Sequence, residues 1–183
     1  MNAKNWPIVK VVLPEDLKGV KPGEIPAHLL RDVKPEGKLH WRAADAYHAM
    51  RDKALADNIK PFTPTSAGDT YRSYQNQLTV FLQRYQKQPI EGASTRTFEG
   101  VKWYKKSPTL ASLAAPGSSM HNLGLAVDIW SASGPRFEWM LKNVLDFGFS
   151  FEVVPEEPWH LRYTAGDKVP PAVQAWLDRK KAV

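Results

Sequence analysis

A single α+β domain, a small antiparallel sheet with flanking helices, is the fold class this sequence predicts. Three observations lead there. At 183 residues and 43% hydrophobic content, the chain has room for one real core. Apolar residues recur at helical spacing in some stretches and alternate strictly in others. The 15 prolines gather toward both ends and around one central region, which favours long ordered loops over continuous helix.

The elements follow in order. Residues 1–40, with Pro7, Pro14, Pro22, Pro26 and Pro35, read as an extended leader packed on a domain of residues 41–183. From Trp41 to about Asn58, the series Ala43, Ala46-Tyr47, Met50 and Ala54-Leu55 predicts a first helix. A second runs from about Thr70 to Gln86, with Tyr74, Leu78, Phe81-Leu82 and Tyr85 on one stripe, Asp69 or Thr70 as cap and Arg72 in the first turn. Residues 87–118 read as a long loop region around a short strand-like VKWYKK, bordering a cleft. Leu125, Val127 and Ile129 alternate with Ala126, Asp128 and Trp130, which predicts a strand whose second face carries an acid beside a small residue. A third helix spans Pro135 to Phe147, with Pro at its start and Gly148 as its stop. Strands around Phe149–Val154 and Trp159–Tyr163 come next, then a short helix from Pro171.

A net charge of +6 and a pI near 9.5 suit a polyanionic neighbour: nucleic acid, anionic lipid or acidic cell-wall polymer. Charge alone does not choose among them, but no nucleic-acid motif accompanies it. Cysteine is absent, so thiolate metal sites and thiol nucleophiles are excluded, and any metal falls to His, Asp or Glu. The opening MNAKNWPIVKVVLPEDL is too short in its apolar run and too charged for a signal h-region or a membrane span, so synthesis as a soluble cytoplasmic product is expected.

Two segments concentrate the unusual residues: SMHNLGLAVD over 119–128, and EPWH over 157–160. Together they offer two imidazoles and two carboxylates. Catalytic zinc takes three protein ligands and a water whose pKa falls to about 7, which a nearby carboxylate can deprotonate as it attacks a carbonyl. Gly124 and the β-branched Val127 and Ile129 argue for a turn feeding a strand here, not a helix. Glu157, preceding Pro158, is extended, and in a regular strand it would point away from His160. A bend near Pro158 is therefore required if both are to meet one metal.

These segments, with the upstream YRSYQNQ at 71–77, resemble the LAS group of zinc metallopeptidases over roughly residues 40–165. That group includes D-alanyl-D-alanine carboxypeptidases, dipeptidases and phage endolysins that cut L-alanyl-D-glutamate bonds. The resemblance implies a LAS/hedgehog-like core, with His121, Asp128 and His160 as zinc ligands and Glu157 as general base, later returning its proton to the leaving amine. Glu156 is the rival base, less well spaced from His160. Arg72 would pair with the substrate carboxylate or a developing oxyanion, unless it merely caps its helix. Ser119 and Gln77 would hydrogen-bond the peptide and Trp159 would wall the cleft, while Trp130 reads as a core aromatic.

The expected function is zinc-dependent hydrolysis of peptide bonds in bacterial peptidoglycan, by a monomer of phage-endolysin type that reaches the wall after release from the cytoplasm. The alternative is a bacterial D-alanyl-D-alanine carboxypeptidase or dipeptidase. A metal-binding module without turnover is disfavoured by the intact Glu157. Expected partners are a stem peptide and anionic wall polymers, with no nucleic acid and no membrane insertion.

Overall fold

The computed structural model describes residues 6–182; residues 1–5, where the expected leader opens, and residue 183 lie outside it. From Trp6 to His40 the chain is extended apart from two 3-10 turns, and ends in an antiparallel pair, β1 (Leu30–Asp32) and β2 (Lys38–His40). This segment lends Leu17, Ile25, Val33 and Leu39 to the main core. Helix α1 (Trp41–Ala56) buries Ala43, Ala46, Tyr47, Met50 and Ala54, the stripe its spacing predicts.

Helix α2 (Tyr74–Arg84) is shorter than expected at both ends. Ser73, not Asp69 or Thr70, caps it, its hydroxyl accepting from the Asn76 N–H at 3.2 Å. Asp69 is spent on a separate 3-10 turn, Ala67–Asp69, where its carboxylate accepts from the Ser66 N–H at 2.8 Å. Arg72 therefore lies in the connection before α2, outside the helix.

Within the expected loop region over 87–118, the strand-like VKWYKK forms one strand of a second sheet, which also takes in an unpredicted strand over Thr95–Phe98. Strands β3 (Tyr85–Gln86), β4 (Thr95–Phe98) and β5 (Val101–Lys105) pair antiparallel in the order β3-β5-β4. The β4–β5 turn is Glu99-Gly100, with both residues at positive φ (51° and 73°), the primed geometry that a tight hairpin needs. Phe81 of α2 stacks on Tyr85 at 4.7 Å and meets Phe98 and Trp103, giving this lobe a core of its own.

The sheet that bears Asp128 and His160 comprises β6 (Ala126–Asp128), β7 (Phe149–Phe151) and β8 (His160–Tyr163), antiparallel with β8 central. Between β6 and β7, helix α3 (Gly134–Asn143) starts one residue before the expected Pro135, continues as a 3-10 turn and stops on Gly148 at φ 77°, the stop the sequence predicts. Helix α4 (Pro171–Lys181) closes the chain against α1. Leu125, Val127, Ile129, Phe149, Phe151, Leu161 and Tyr163 point from one face of this sheet into the main core and are almost fully buried. Each contributes about 1.5–3 kcal/mol on transfer from water, so a slip of one residue in register would be heavily penalised. Trp130 is not a core residue: alternation puts it beyond β6 on the opposite side, 45% exposed, with the Arg136 guanidinium 5.1 Å over its ring. Among the described residues no helix is long and apolar enough to cross a membrane.

Candidate active site

The second face of that sheet presents Asp128 and His160, which are direct cross-strand partners on β6 and β8. Opposed residues in an antiparallel pair keep their Cβ atoms about 5 Å apart, so the register alone brings a carboxylate onto an imidazole. Asp128 Oδ1 stands 2.8 Å from His160 Nδ1.

His121 joins them from a 3-10 turn, Met120–Leu123, whose first N–H groups include that of His121 donating to the Ser119 hydroxyl at 3.2 Å. Gly124 ends this turn in the left-handed region, φ 65°, and its carbonyl accepts from the His40 N–H at 2.9 Å. A Cβ at this position would sit 2.7 Å from that same nitrogen, so both conformation and space demand glycine. The turn is tied to the connection before α2: Arg72 N–H donates to the His121 carbonyl at 3.0 Å, and the Asn122 amide to the Arg72 carbonyl at 2.7 Å.

His121 Nδ1 lies 2.8 Å from the Thr70 carbonyl, which only accepts, so Nδ1 carries the proton and Nε2 turns its lone pair inward. Nε2 is 3.3 Å from Asp128 Oδ1, and the His121, Asp128 and His160 ligand atoms all fall within 4.8 Å of one another. Nitrogen and oxygen donors about 2.0–2.1 Å from a first-row metal stand about 3.3 Å apart at tetrahedral corners. The three side chains thus have the chemistry and spacing to hold a metal ion.

Electrostatics agree. Burial opposes charge on Asp128, yet His121 and His160 outweigh it and hold its carboxyl well below the usual range. Burial likewise opposes charge on His160, but the hydrogen bonds it donates to the Asp128 and Glu152 carboxylates push it up to about 9. A cation bound among these side chains would take the place of a proton there.

Glu157 reaches the same cavity through the bend expected at Pro158. The His160 N–H donates to the Glu157 carbonyl at 3.1 Å, closing a turn over Pro158-Trp159 that breaks strand alternation. Burial, the largest influence, raises the Glu157 carboxyl above the ordinary glutamate range. A half-buried carboxylate with raised basicity can accept a proton from water.

The cavity, of about 730 Å³, is lined by Arg72, Ser119, His121, Asp128, Glu157, Trp159 and His160. Gln77 is the exception among the expected site residues. It is fully buried, its carbonyl oxygen accepting from Arg72 Nη1 and its amide donating to the Ala114 carbonyl, so it holds Arg72 instead of facing the cleft. Arg72 Nε and Nη2 donate to the Gly68 carbonyl at 3.0 and 2.8 Å, and no carboxylate pairs with it among the described residues. Its other N–H groups are free for an anion from outside.

The sequence pattern of the VanY family, described as D-alanyl-D-alanine carboxypeptidase, matches residues 36–166. The chain belongs to the VanY family. A D-alanyl-D-alanine carboxypeptidase of Enterococcus faecalis (strain ATCC 700802 / V583) is 28% identical over 142 residues, 69% of this chain and 48% of its own. The chain spans about half the length of the curated relatives it matches. Among solved structures, a mutant of the vancomycin-resistance D,D-pentapeptidase VanY from a VanB-type cassette, in complex with Zn(II), shares the fold at 23% identity and TM-score 0.54, over 84% of this chain and 88% of that one. VanYB in complex with D-alanine-D-alanine shares it at 23% identity and TM-score 0.53, over 84% and 92%.

Three contributors to this VanY-family site were not anticipated. The Thr70 and Gly68 carbonyls orient His121 and Arg72, and backbone acceptors leave no mark in sequence. Glu152 contacts the far nitrogen of His160 at 2.8 Å. Its signal was available: in FSFEV, Phe149, Phe151 and Val153 alternate with Ser150 and Glu152, which puts an acid on the face of His160.

Proposed function

We propose that the protein is a zinc-dependent peptidase of bacterial peptidoglycan that removes the terminal D-alanine from D-alanyl-D-alanine-ended stem peptides. The observation that carries this reading is the convergence of His121, Asp128 and His160 beside Glu157, in a cleft where Arg72 has no anionic partner among the described residues. Membership of the VanY family and the D-alanyl-D-alanine bound by VanYB support the substrate, and the Zn(II) of the related pentapeptidase supports the metal. His121 through Nε2, Asp128 through its carboxylate and His160 through Nδ1 would hold zinc, which supplies Lewis acidity toward a substrate carbonyl and acidifies water.

The chain's own residues do the rest. Glu157 takes the proton from the attacking water and passes it to the amine nitrogen as the C–N bond breaks. Arg72, held in place by Gly68 and Gln77, binds the free carboxylate of the last residue. Ser119 keeps its hydroxyl proton for the peptide, because its oxygen is already accepting from His121. Trp159, 38% exposed, walls the cleft. The net charge of +6 favours the anionic polymers of the wall as surroundings.

A lysin-type endopeptidase, as expected from the sequence, uses the same reacting groups. The breadth of the cleft, which runs past Arg72 to Arg84 and Arg96, favours that second reading. Digestion of purified muropeptides, read by mass spectrometry with parent and Glu157→Ala, separates them. Release of free D-alanine by the parent alone is the expected result. Cleavage within the stem or across a bridge, without free D-alanine, would replace the carboxypeptidase by the lysin, and unchanged muropeptides with both proteins would end the peptidase reading.

A further inference from the structure

We infer that Glu152 is a positioning residue for the metal centre, locking His160 in the tautomer that presents Nδ1 to the metal. The inference rests on the zinc reading of the site and goes beyond it by adding a residue outside every motif in the sequence.

The argument begins with register. Phe151 pairs with Leu161 across β7 and β8, so Glu152, the next residue along, falls opposite His160. Asp128 occupies the equivalent place on the other side, from β6. His160 therefore stands on the central strand between two carboxylates, and its ring spans them: Nδ1 to Asp128 Oδ1 at 2.8 Å, Nε2 to Glu152 Oε2 at 2.8 Å. The two contacts have different meanings. Nδ1 and Asp128 belong to the group whose atoms converge with His121 Nε2, whereas Glu152 lies on the far side of the ring.

An imidazole that ligates through one nitrogen carries its proton on the other, and an acceptor there fixes both tautomer and ring plane. For His121 the acceptor is the Thr70 carbonyl. For His160 it is a full carboxylate, which also raises the basicity of the ligating nitrogen. Glu152 is itself restrained. Its Oε1 accepts from Arg162 Nη1 at 3.0 Å, and Arg162 Nη2 donates to the Val9 carbonyl at 3.2 Å. Arg162 sits two residues along β8 on the same face as His160, so one strand presents both the ligand and the clamp on its orienting acid. The row Asp128, His160, Glu152 and the brace Arg162, Val9 join three strands and the N-terminal segment around a single ring.

Zinc affinity by chelator competition, on parent, Glu152→Gln and Glu152→Ala proteins of matched circular dichroism, tests this. Loss of a carboxylate on a ligating histidine weakens metal binding about 10- to 100-fold, expected in full for Glu152→Ala. Glu152→Gln, keeping an acceptor without charge, should fall between. A long-range 1H–15N spectrum of the zinc-loaded parent should give His160 protonated at Nε2, with the Nε2 proton exchanging faster in Glu152→Ala. Affinity within twofold of the parent in both variants, or a parent spectrum with the proton on Nδ1, would overturn the inference while leaving the proposed function standing. A parent that binds no zinc would sink the proposed function first.

Discussion

At the scale of single residues, the proposed ligands and the proposed base differ in what each touches. His160 sits between two carboxylates and His121 between a carbonyl and Asp128, while Glu157 makes no hydrogen bond to either ring among the described contacts. Removing a ligand should therefore empty the site, and removing the base should silence it. Metal analysis after dialysis is expected to find zinc in Glu157→Gln but not in His121→Ala or His160→Ala, with turnover of Glu157→Gln down about 10²- to 10⁴-fold. Metal loss in Glu157→Gln would transfer that residue to the ligand set. His48 offers a prediction of another kind. Burial lowers its pKa from 6.5, its ring lies against Trp176, and Nε2 has no hydrogen-bond partner among the described residues. The unfolded chain takes up this proton near pH 6.5 and the folded chain only lower, so stability is lost as pH falls below 6.5 and levels off beneath the folded value. Thermal melts of metal-free protein between pH 7 and 5 should show a shallower decline for His48→Gln than for the parent; parallel curves would refute this.

At the scale of elements, strand pairing and one tight turn aim the site. The β6–β8–β7 register sets Asp128 and Glu152 on either side of His160, and the 3-10 turn ending at Gly124 delivers His121. Gly124→Ala should cost about 1–3 kcal/mol for the left-handed backbone, toward the upper end because the new Cβ meets the His40 nitrogen. Urea unfolding measures the loss, and zinc affinity should fall with it because His40 and Gly124 anchor the turn to β2. An unchanged unfolding midpoint would show that the turn relaxes freely. Helices α1 and α3 were legible from apolar spacing, Pro135 and Gly148. The ends of α2 were not, since Ser66, Asp69, Thr70 and Ser73 are all competent caps and only the path of the chain into the site selects Ser73. Strand β5 was legible in VKWYKK, but β4 and the hairpin they form were read as loop because the turn is Glu-Gly, in which a non-glycine residue adopts positive φ.

At the scale of the whole molecule, two cores flank one cleft. The main core lies under β6, β7 and β8, and the smaller one, around Phe81 and Tyr85, sits behind the wall that bears Arg72, Arg84 and Arg96. One side of the cavity is thus acidic, with Asp128, Glu152, Glu156 and Glu157, and the other cationic. This polarity suits a peptide whose carbonyl meets the acidic side and whose carboxylate meets the cationic one. The N-terminal segment takes part as well, pairing Pro7 with Phe151 and supplying Val9 to Arg162, so its prolines serve an extended path along the sheet edge.

By itself the sequence determined the α+β class, the stripes of α1 and α3, the buried face of β6, and the short list of side chains able to hold a metal with no cysteine present. Those features rest on local periodicity and on side-chain chemistry, which one sequence displays directly. The tertiary structure alone decided that Gln77 is buried behind Arg72, that Trp130 faces solvent, that Thr70 and Gly68 lend their carbonyls, and that Glu152 braces His160. Burial behind a neighbour and backbone atoms common to every residue leave no mark in the order of side chains, and the alternation in FSFEV gave Glu152 its face but not the neighbouring strand that it braces.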